Sequence, residues 1–425
     1  MLKNKVIIIA LIGALYCIGI MAQNNTNSPY SRYGYGILDD NSFGMGRAMG
    51  GIGYGLRSAR QINVKNPASY AAMDSLTFLF DFGVNLQNVW MKEIPTGAKE
   101  SQINGNLEYI AMQFPLGKNI AASLGLLPFS YVGYSYGGTI NNGSESKLGE
   151  GGINQAYAGV SVNVYKGFSL GANISYLFGN IVHDNYIIPS NQNTIDGIIE
   201  NKLHVSDFHV EFGAQYTYKI NEKDKFTIGA VYSPKKALLG HEYKTEQVYS
   251  SSSSSTTSQV EKSDTTSLKG NYEIASTYGL GFTYSRDNLF TVGADVTLQD
   301  WKDTRYAGRT DTLNNRIKVA VGGEYIPNIL SRNYLKRVRY RLGAFYNQSY
   351  LKVSDASTNS SMNMREVGVS CGFGLPIKSD KSIVNLGLEY VNRRTTPQSL
   401  ITENYLRVSV SLTFNEFWFF KRKFE

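Results

Sequence analysis

Apolar and polar residues alternate with a period of two along most of the chain from Ser75 onward, and no other feature limits the possible folds as much. In FSLGANISYLF (residues 168–178), apolar side chains occupy every second position. The same alternation recurs in residues 156–164, 208–219, 290–299 and 406–415. This pattern predicts β-strands with one apolar and one polar face. The composition agrees, because the chain has 30 tyrosines and 20 phenylalanines but 10 prolines.

Strand length and connector spacing distinguish a soluble β-sandwich from a membrane-spanning β-barrel, since both alternate. Many runs exceed the roughly 9–11 residues that cross a bilayer at a tilt, whereas a globular strand has about 5–6. Short connectors such as Lys166-Gly167 alternate with long polar ones, among them residues 139–151, 184–201, 246–267 and 302–312. Outer-membrane barrels have this asymmetry, with short periplasmic turns and long outer loops. One turn on the short side, residues 327–333, is longer than this pattern predicts.

The alternating runs predict an all-β fold, a transmembrane antiparallel β-barrel of about 14 strands in residues 75–425. The strands begin near residues 75, 104, 119, 152, 167, 202, 225, 268, 288, 314, 335, 362, 381 and 401. An even number places both ends of the barrel on the periplasmic side. The run SSSSSTTS (residues 251–258) falls in the longest predicted outer loop, and we expect it to be mobile and without chemistry.

The final residues, FNEFWFFKRKFE, have the composition of a membrane–water boundary. Phe417, Trp418, Phe419 and Phe420 suit an aromatic girdle, and the basic residues 421–423 suit the lipid headgroups beyond it. An amphipathic tail would have the same pattern, so this alternative stays open.

Residues 1–22, MLKNKVIIIALIGALYCIGIMA, have the pattern of a secretory signal peptide. Lys3 and Lys5 precede an apolar run that is shorter than the ~20 residues of a membrane-spanning helix. Cys17 raises the alternative of a lipoprotein, but Tyr16 is bulkier than the residue that normally precedes a lipidated cysteine. Removal of this segment would leave Cys371 as the one cysteine, so we expect no internal disulfide. Export combined with the strand pattern predicts the outer membrane as the location.

The formal net charge of +8 does not indicate nucleic-acid binding, because basic and acidic residues are interspersed and an exported protein rarely meets nucleic acid. A solvated surface of mixed charge explains the composition, and attraction to anionic lipid headgroups is a weaker alternative. Outer-membrane lipid is therefore the expected surrounding, and no nucleic-acid partner is expected.

Residues 23–74 lack the barrel pattern and are rich in glycine, including Gly44, Gly46, Gly50 and Gly51. Glycine permits tight turns and close backbone contacts. A dinucleotide-binding loop is excluded, because the spacing departs from G-x-G-x-x-G and no strand precedes it. A barrel of about 14 strands has a lumen wider than its own side chains fill. We therefore expect residues 23–74 to form a compact plug inside it.

The stretch NPASYAAMD (residues 66–74) predicts a short helix at the end of this plug. Asn66 can cap the helix and Pro67 suits its first position, where a missing N–H costs little. A helix this short is marginal alone, so it must pack against the barrel wall.

The motif Asn66-Pro67-Ala68, placed after a glycine-rich exported N-terminus and before a fourteen-strand pattern, resembles the FadL/TodX family of outer-membrane transporters for hydrophobic compounds. That family carries an NPA motif in an N-terminal hatch inside a fourteen-stranded barrel, so the resemblance implies that residues 23–74 are a hatch. The family also has a kinked third strand that opens the wall sideways. In this chain Pro128 interrupts the third strand, where a local opening or a simple bulge is expected.

The resemblance implies transport of a hydrophobic small molecule, which outer loops capture and which leaves sideways through the wall when the hatch shifts. Outer-loop apolar residues Ile187, Ile188 and Ile195 are candidate contacts, although loop packing also explains them. The alternative is an assembly or secretion partner that receives a protein at the outer loops without transporting lipid.

An enzyme is not expected. Among the four histidines, His209 lies on the predicted inner face of a strand with Glu211, where a hydrated lumen histidine explains it. No nucleophile motif, metal-ligand spacing or cofactor motif is present. We expect the other lumen charges, Asp295, Lys318, Glu324, Glu389 and Arg407, to pair with one another or with the plug.

Overall fold

The computed structural model describes residues 26–190, 196–252, 255–355, 360–377, 382–398 and 400–417, and the structural statements below refer to these residues. The strands are β1 (Ile37–Leu38), β2 (Thr77–Glu93), β3 (Lys99–Pro115), β4 (Ile120–Ile140), β5 (Gly143–Tyr165), β6 (Phe168–Pro189), β7 (Asp196–Lys219), β8 (Asp224–Ser233), β9 (Lys236–Ala237), β10 (Gly240–Ser252), β11 (Ser255–Ser267), β12 (Glu273–Ile274), β13 (Thr277–Arg286), β14 (Phe290–Gln299), β15 (Arg316–Tyr325), β16 (Arg339–Asp355), β17 (Ser360–Pro376), β18 (Ile383–Thr396) and β19 (Ile401–Phe417). Four one- to two-turn helices span Pro29–Arg32, Gly44–Arg47, Pro67–Ala72 and Tyr334–Arg337. In the described parts of the chain, the helices are all too short to cross a bilayer.

The strands form a closed antiparallel barrel with fourteen strand positions around its circumference. Consecutive strands pair from β2 to β7 and from β13 to β19, and β19 closes the sheet against β2 along its whole length. At two of these positions the strand is divided into two shorter strands. β8 and β10 share one position, and both pair with β7. β11 and β13 share the next position, where β10 pairs with β11 and β8 pairs with β13. The predicted fold of about 14 strands is confirmed.

The long connectors were wrongly assigned to loops. Residues 139–151, 184–201 and 246–267 lie mostly in strands, so that β5, β6 and β7 reach 22 to 24 residues. A strand with polar side chains on both faces can still pair with its neighbours where it extends out of a bilayer, because water solvates both faces of the sheet there. Within the run predicted as a mobile loop, residues 251–252 end β10 and residues 255–258 begin β11. Residues 302–312 form a connector, as predicted.

Several predicted features lie outside the described residues. They are the signal peptide of residues 1–22, Ile195, and the terminal Trp418, Phe419, Phe420 and residues 421–423. We call the end of the barrel with the β5–β6 and β7–β8 connectors the turn end, and the opposite end, with the β4–β5 and β6–β7 connectors, the hairpin end. The turn end also carries the longer connector that the sequence indicated, which includes the helix Tyr334–Arg337.

The two faces of the wall differ as the alternation predicts. Leu170, Ile174 and Tyr176 of β6 are exposed on the outside, whereas Ser169, Asn173 and Ser175 between them are buried on the inside. Apolar side chains on the outer face match the hydrocarbon of a bilayer. The inner face is polar because residues 26–74, which we call the hatch segment, and solvent lie against it.

The hatch segment approaches the wall where inward-facing strand residues are glycine. A Cβ atom on Gly171 of β6 would lie 2.5 Å from the carbonyl carbon of Pro67 and 2.6 Å from the amide nitrogen of Ala68. Real Cβ contacts are never this short, so the absence of a side chain at Gly171 permits the hatch segment to dock.

We predict that Gly171→Val displaces the helix Pro67–Ala72 without unfolding the barrel, because the new side chain points inward and strands tolerate valine. Limited trypsin digestion in detergent should then cut after Lys65, which is 6% exposed in the docked segment. Gly138→Val is the matched control, since a Cβ there meets no atom within 4 Å. Equal protection of Lys65 in both variants, with both barrels heat-modifiable on gels, would contradict the prediction.

Candidate functional site in the barrel wall and lumen

The ladder between β3 and β4 covers part of the two strands and leaves a gap in the wall. It runs from Pro115↔Ala121 at the turn end to Ile110↔Leu126 and stops there. β3 continues to Lys99 and β4 to Ile140, each paired on its other side. No described strand joins β3 to β4 beyond Leu126. The wall is therefore open to the side over its hairpin-end half between these two strands.

Pro128 lies two residues beyond the last pair of the β3–β4 ladder. β4 continues through it, and the register with β5 shifts between Pro128 and Ser130. A proline removes a ladder donor, and a bulge bends a strand. Pro128 thus lies close to the edge of the gap, beside a register shift in the β4–β5 ladder, and its role in opening the wall stays a prediction.

The hatch segment bridges the gap. Asn27 donates a side-chain hydrogen bond to the Asn104 Oδ1 of β3 at 2.8 Å. Further along, β1 pairs with β4 through Ile37↔Tyr131 and Leu38↔Ser130. The amide of Asp39 then donates to the Phe129 carbonyl at 3.0 Å. Residues 27–39 therefore contact both edges of the gap and supply part of the pairing that the wall lacks.

An aromatic cluster closes the lumen at the hairpin end. Tyr35 of the hatch segment lies 5.8 Å from Trp301 and 5.2 Å from Tyr306 between ring centroids, and Trp301 lies 4.7 Å from Tyr350. The hydroxyl of Tyr350 donates to the Gly36 carbonyl at 2.6 Å, and that of Tyr306 to the Gly34 carbonyl at 2.8 Å. The same apolar core includes Val132 and Tyr134 of β4. The core is therefore continuous from the hairpin end to the edge of the gap.

Asp40 holds the hatch segment to the wall through buried charges. Its carboxylate lies 2.7 Å from Lys318 Nζ, 3.4 Å from Lys65 Nζ and 3.8 Å from an Arg316 nitrogen. Burial by itself raises the pKa of the Asp40 carboxyl, but the three cations outweigh it and hold the pKa well below its usual range. Lys318 and Arg316 belong to β15, so this cluster connects hatch and wall directly.

The predicted pairing of the lumen charges is confirmed. Glu324 pairs with Arg341 at 2.8 Å and Arg339 at 3.0 Å, and Arg407 pairs with Glu389 at 3.2 Å. The Asp295 carboxylate accepts hydrogen bonds from the amides of Gly53 and Tyr54 and lies 3.8 Å from Lys65. The hatch cation Arg47 pairs with Glu108 of β3 at 3.4 Å.

The motif Asn66-Pro67-Ala68 lies at the centre of the contact between hatch segment and wall. Asn66 caps the helix by accepting the Ala68 amide at 3.1 Å, and its Nδ2 donates to the carbonyls of Tyr54 at 2.7 Å and Ala214 at 3.2 Å. The Ser161 hydroxyl of β5 donates to the Ala68 carbonyl at 2.9 Å. The predicted capped helix is confirmed as a helix of the tighter 3-10 form. Asn66 also fastens the helix to the wall, a role that sequence reasoning did not assign.

The four hatch glycines serve close packing and one turn. Gly50 and Gly51 have φ of +74° and +88°, which suits glycine, and the Gly50 amide donates to the Ser370 hydroxyl at 2.8 Å. A Cβ on Gly44 would lie 2.3 Å from Ser411 Oγ, and one on Gly46 would lie 2.6 Å from the Ile52 carbonyl oxygen. These glycines position the hatch backbone and contact no candidate substrate path.

The cavities around residues 38–42 are small and polar. One of ≈ 90 Å³ is lined by residues that include Asp40, Lys65, His209 and Glu211, and one of ≈ 80 Å³ lies on the side of Arg316 and Lys318. His209 Nε2 and the Ser233 hydroxyl share a hydrogen bond of 2.8 Å. Such cavities hold a few waters rather than an organic substrate. Within the described residues, no group of three histidine, cysteine or acidic side chains has metal-binding geometry.

The apolar loop residues behave as surface residues in the structure. Ile188 of β6 is 50% exposed and Ile187 is partly buried, and neither belongs to the aromatic core at the hairpin end. They stay candidate contacts for a captured ligand.

Sequence reasoning missed Asp40, Lys65, Tyr35 and the inward-facing wall glycines. Asp40 and Lys65 are ordinary charges in a segment without periodicity. A signal was available for Gly171, Gly213, Gly322 and Gly343, because each occupies an inward position of its strand, where a missing side chain indicates close backbone approach.

The described chain thus has fourteen paired strand positions around a buried N-terminal segment, with a lateral gap beside the third barrel strand. The fold resembles that of the toluene transporter TodX of Pseudomonas putida, with a TM-score of 0.59, 15% identity, and coverage of 90% of this chain and 100% of that chain. It also resembles a FadL homologue of Pseudomonas aeruginosa (TM-score 0.57, 13% identity, 89% and 99% covered) and the monoaromatic hydrocarbon channel CymD (0.58, 14%, 88% and 97%). The expected resemblance to FadL/TodX structures is confirmed.

The chain belongs to the BamG family, whose model matches residues 1–425. No curated protein matches the sequence. The structural neighbours are described as transporters and channels rather than enzymes.

We predict that Asp40→Asn opens the lumen, because it leaves three buried cations without their shared carboxylate, and removing one partner of a buried ion pair costs about 3–5 kcal/mol. Ion conductance in planar bilayers at pH 7 should rise above that of the wild type. Asp287→Asn is the control, since it removes an exposed pair with Lys225. Equal, low conductance of both variants would contradict the role of Asp40.

The wild type should stay closed on acidification until the pH falls below about 4. The pKa of Asp40 is lowered in the folded state, so its stabilisation is present above the ordinary aspartate pKa of about 3.9 and is lost only as the pH falls through the lower, folded value. The same conductance measurement from pH 7 to pH 4 tests this. A rise in conductance near pH 5 to 6 would show that another group controls closure.

Proposed function

We propose that this protein lies in the outer membrane and admits a hydrophobic small molecule, which passes from the hairpin end into the bilayer through the gap between β3 and β4. The hairpin end then faces outward and the turn end faces the periplasm. The observation that carries the proposal is that the same segment, residues 27–39, fills both the apolar core and the gap.

The physical basis is a continuous apolar route. If residues 29–38 shift, Tyr30 and Tyr35 move with them and leave space beside Trp301 and Tyr350. Val132 and Tyr134 continue the apolar lining of this space to the edge of the gap. A molecule that enters the route gains about 0.8 kcal/mol for each CH₂ that it removes from water. Release into lipid retains this gain, whereas passage through the polar, charge-paired lumen toward the turn end would lose it.

The helix Pro67–Ala72 stays in place during this movement. It is fastened by Asn66 and Ser161, whereas β1 is held to β4 by two residue pairs. Asp40, with its charge cluster, lies between the two parts. The hatch thus divides into an anchored part, which includes Asn66, Pro67 and Ala68, and a movable part, which includes residues 27–39.

We predict that a disulfide between Leu38→Cys and Ser130→Cys abolishes uptake, because these residues face each other in the β1–β4 pair. Uptake of radiolabelled toluene and oleate should fall to background in the oxidised double variant and return after reduction. The two single variants control for substitution, and the native Cys371 lies on β17. Uptake that is the same in the oxidised and reduced protein would refute passage through this gap.

A second function, reception of a protein by strand addition, is favoured by the free edge of β4. Residues 135–140 are all exposed, and they pair with β5 on one side and with no described strand on the other. An unpaired edge accepts an extended segment of another chain through backbone hydrogen bonds. This edge lies at the hairpin end, where an assembly or secretion partner would reach it.

We predict for this alternative that a photo-crosslinking amino acid at Tyr136 captures an extended segment of an exported protein in living cells. The same amino acid at Ser146 is the control, because β5 is paired on both sides there. Crosslinks to a defined strand at position 136 alone, together with unchanged hydrophobic uptake in the disulfide-locked variant, would favour reception of a protein over transport. Equal crosslinking at both positions would refute a role for the edge.

A further inference from the structure

A wide vestibule opens at the turn end beneath the hatch segment. Its volume is ≈ 1160 Å³, above the roughly 300–1,000 Å³ of most small-molecule pockets. Six cationic side chains line it, Arg57, Lys166, Lys219, Lys225, Arg286 and Arg339, against the two carboxylates of Asp287 and Glu324. The excess of positive charge favours an anionic ligand that enters from this end.

Arg57 presents its guanidinium at the top of this vestibule. The residue follows the buried Leu56 in the hatch segment and is itself partly buried. Its guanidinium donates to three neutral oxygens of the wall: Ser169 Oγ of β6, Asn163 Oδ1 of β5 at 2.8 Å, and Gln215 Oε1 of β7 at 3.3 Å. The geometry fixes the guanidinium without neutralising it.

Other buried cations in the lumen have carboxylate partners. Arg47, Lys65, Lys318, Arg341 and Arg393 each lie within 4 Å of at least one carboxylate. For Arg57, the hydrogen-bond acceptors among the described residues are neutral oxygens, and burial lowers the pKa of its guanidinium. An unneutralised charge that burial disfavours would gain from a counter-ion.

We propose that Arg57 is the head-group site for an anionic amphiphile with a carboxylate or phosphate head, which enters the vestibule from the turn end. The head would form a charge-assisted hydrogen bond with the guanidinium. The tail would lie against apolar side chains of the hatch segment that line the same vestibule, among them Leu56, Ala59, Ala71 and Ala72.

This site is linked to the position of the hatch segment. Gln215, which accepts from Arg57, also donates to the carbonyls of Tyr54 and Leu56. Asn163, a second acceptor, donates to the carbonyl of Ala71. An anion that draws the guanidinium toward the vestibule therefore acts on the same side chains that hold the anchored part of the hatch. Ligand binding at the turn end is in this way coupled to the docking of the helix Pro67–Ala72.

The test uses the purified full-length protein in a neutral maltoside detergent, with octyl phosphate, octanoate and octanol as probes in isothermal titration. Wild type should bind both anionic probes and should bind octanol at least tenfold more weakly. Arg57→Gln should lose at least tenfold in affinity for the two anions, and Arg57→Lys should retain part of it. Lys352→Gln, a cation at the hairpin end that is paired with Asp311 and lies outside the vestibule, is the control and should change affinity less than twofold.

Three results would overturn the proposal: equal binding by Arg57→Gln and wild type, equal losses in Arg57→Gln and Lys352→Gln, or binding of octanol as strong as that of octanoate. The second result would mean that the overall positive charge of the protein, rather than a site at Arg57, attracts the anions. Heat-modifiable migration verifies that each variant is folded. The oxidised Leu38→Cys, Ser130→Cys protein should bind the anions normally, so failure of lateral passage and failure of this site are separable.

Discussion

The ladder of backbone hydrogen bonds between neighbouring strands is the constraint on which the rest of this structure depends. Hydrocarbon offers no partner to an N–H or C=O group, so a sheet can cross a bilayer only as a closed barrel. β19 meets β2 over seventeen residue pairs, from Ile401↔Glu93 to Phe417↔Thr77, and this closure fixes the size of the lumen. The lumen of a fourteen-stranded barrel is too wide for the side chains of the wall to fill. The buried hatch segment follows from that width.

Within the described residues, the ladder between β3 and β4 covers part of the two strands and leaves the rest of their length without mutual pairing. Between β3 and β4 the pairing stops at Ile110↔Leu126, and the hatch strand β1 takes over part of it at Ser130 and Tyr131. Two residue pairs are far easier to break than the fourteen to twenty pairs of the complete neighbouring ladders. Movement is therefore expected at this point of the wall before any other.

Charge pairing explains how a polar lumen keeps a fixed hatch. The segment packs apolar side chains such as Phe43 and Met49 against the wall, and Asp40, Arg47 and Lys65 in addition meet wall charges of opposite sign. Buried pairs contribute little net stability, but each is strongly specific, because a shifted hatch would leave charges unpaired. The aromatic core at one end and the Asn66 anchor at the other complete the attachment. Arg57 stands apart from this scheme, since neutral oxygens hold it.

The sequence by itself determined the barrel, because a period of two with an apolar outer face is a local property that each strand carries alone. It also determined the capped helix at Asn66, since capping acts within a few residues. The tertiary structure alone decided where the long polar connectors pair, because polar residues on both faces fit a loop and a strand equally well. It alone brought Asp40 to Lys318 across 278 residues and Tyr35 to Trp301. Such contacts depend on how the barrel strands close around the hatch segment. No local pattern in a glycine-rich segment encodes this arrangement.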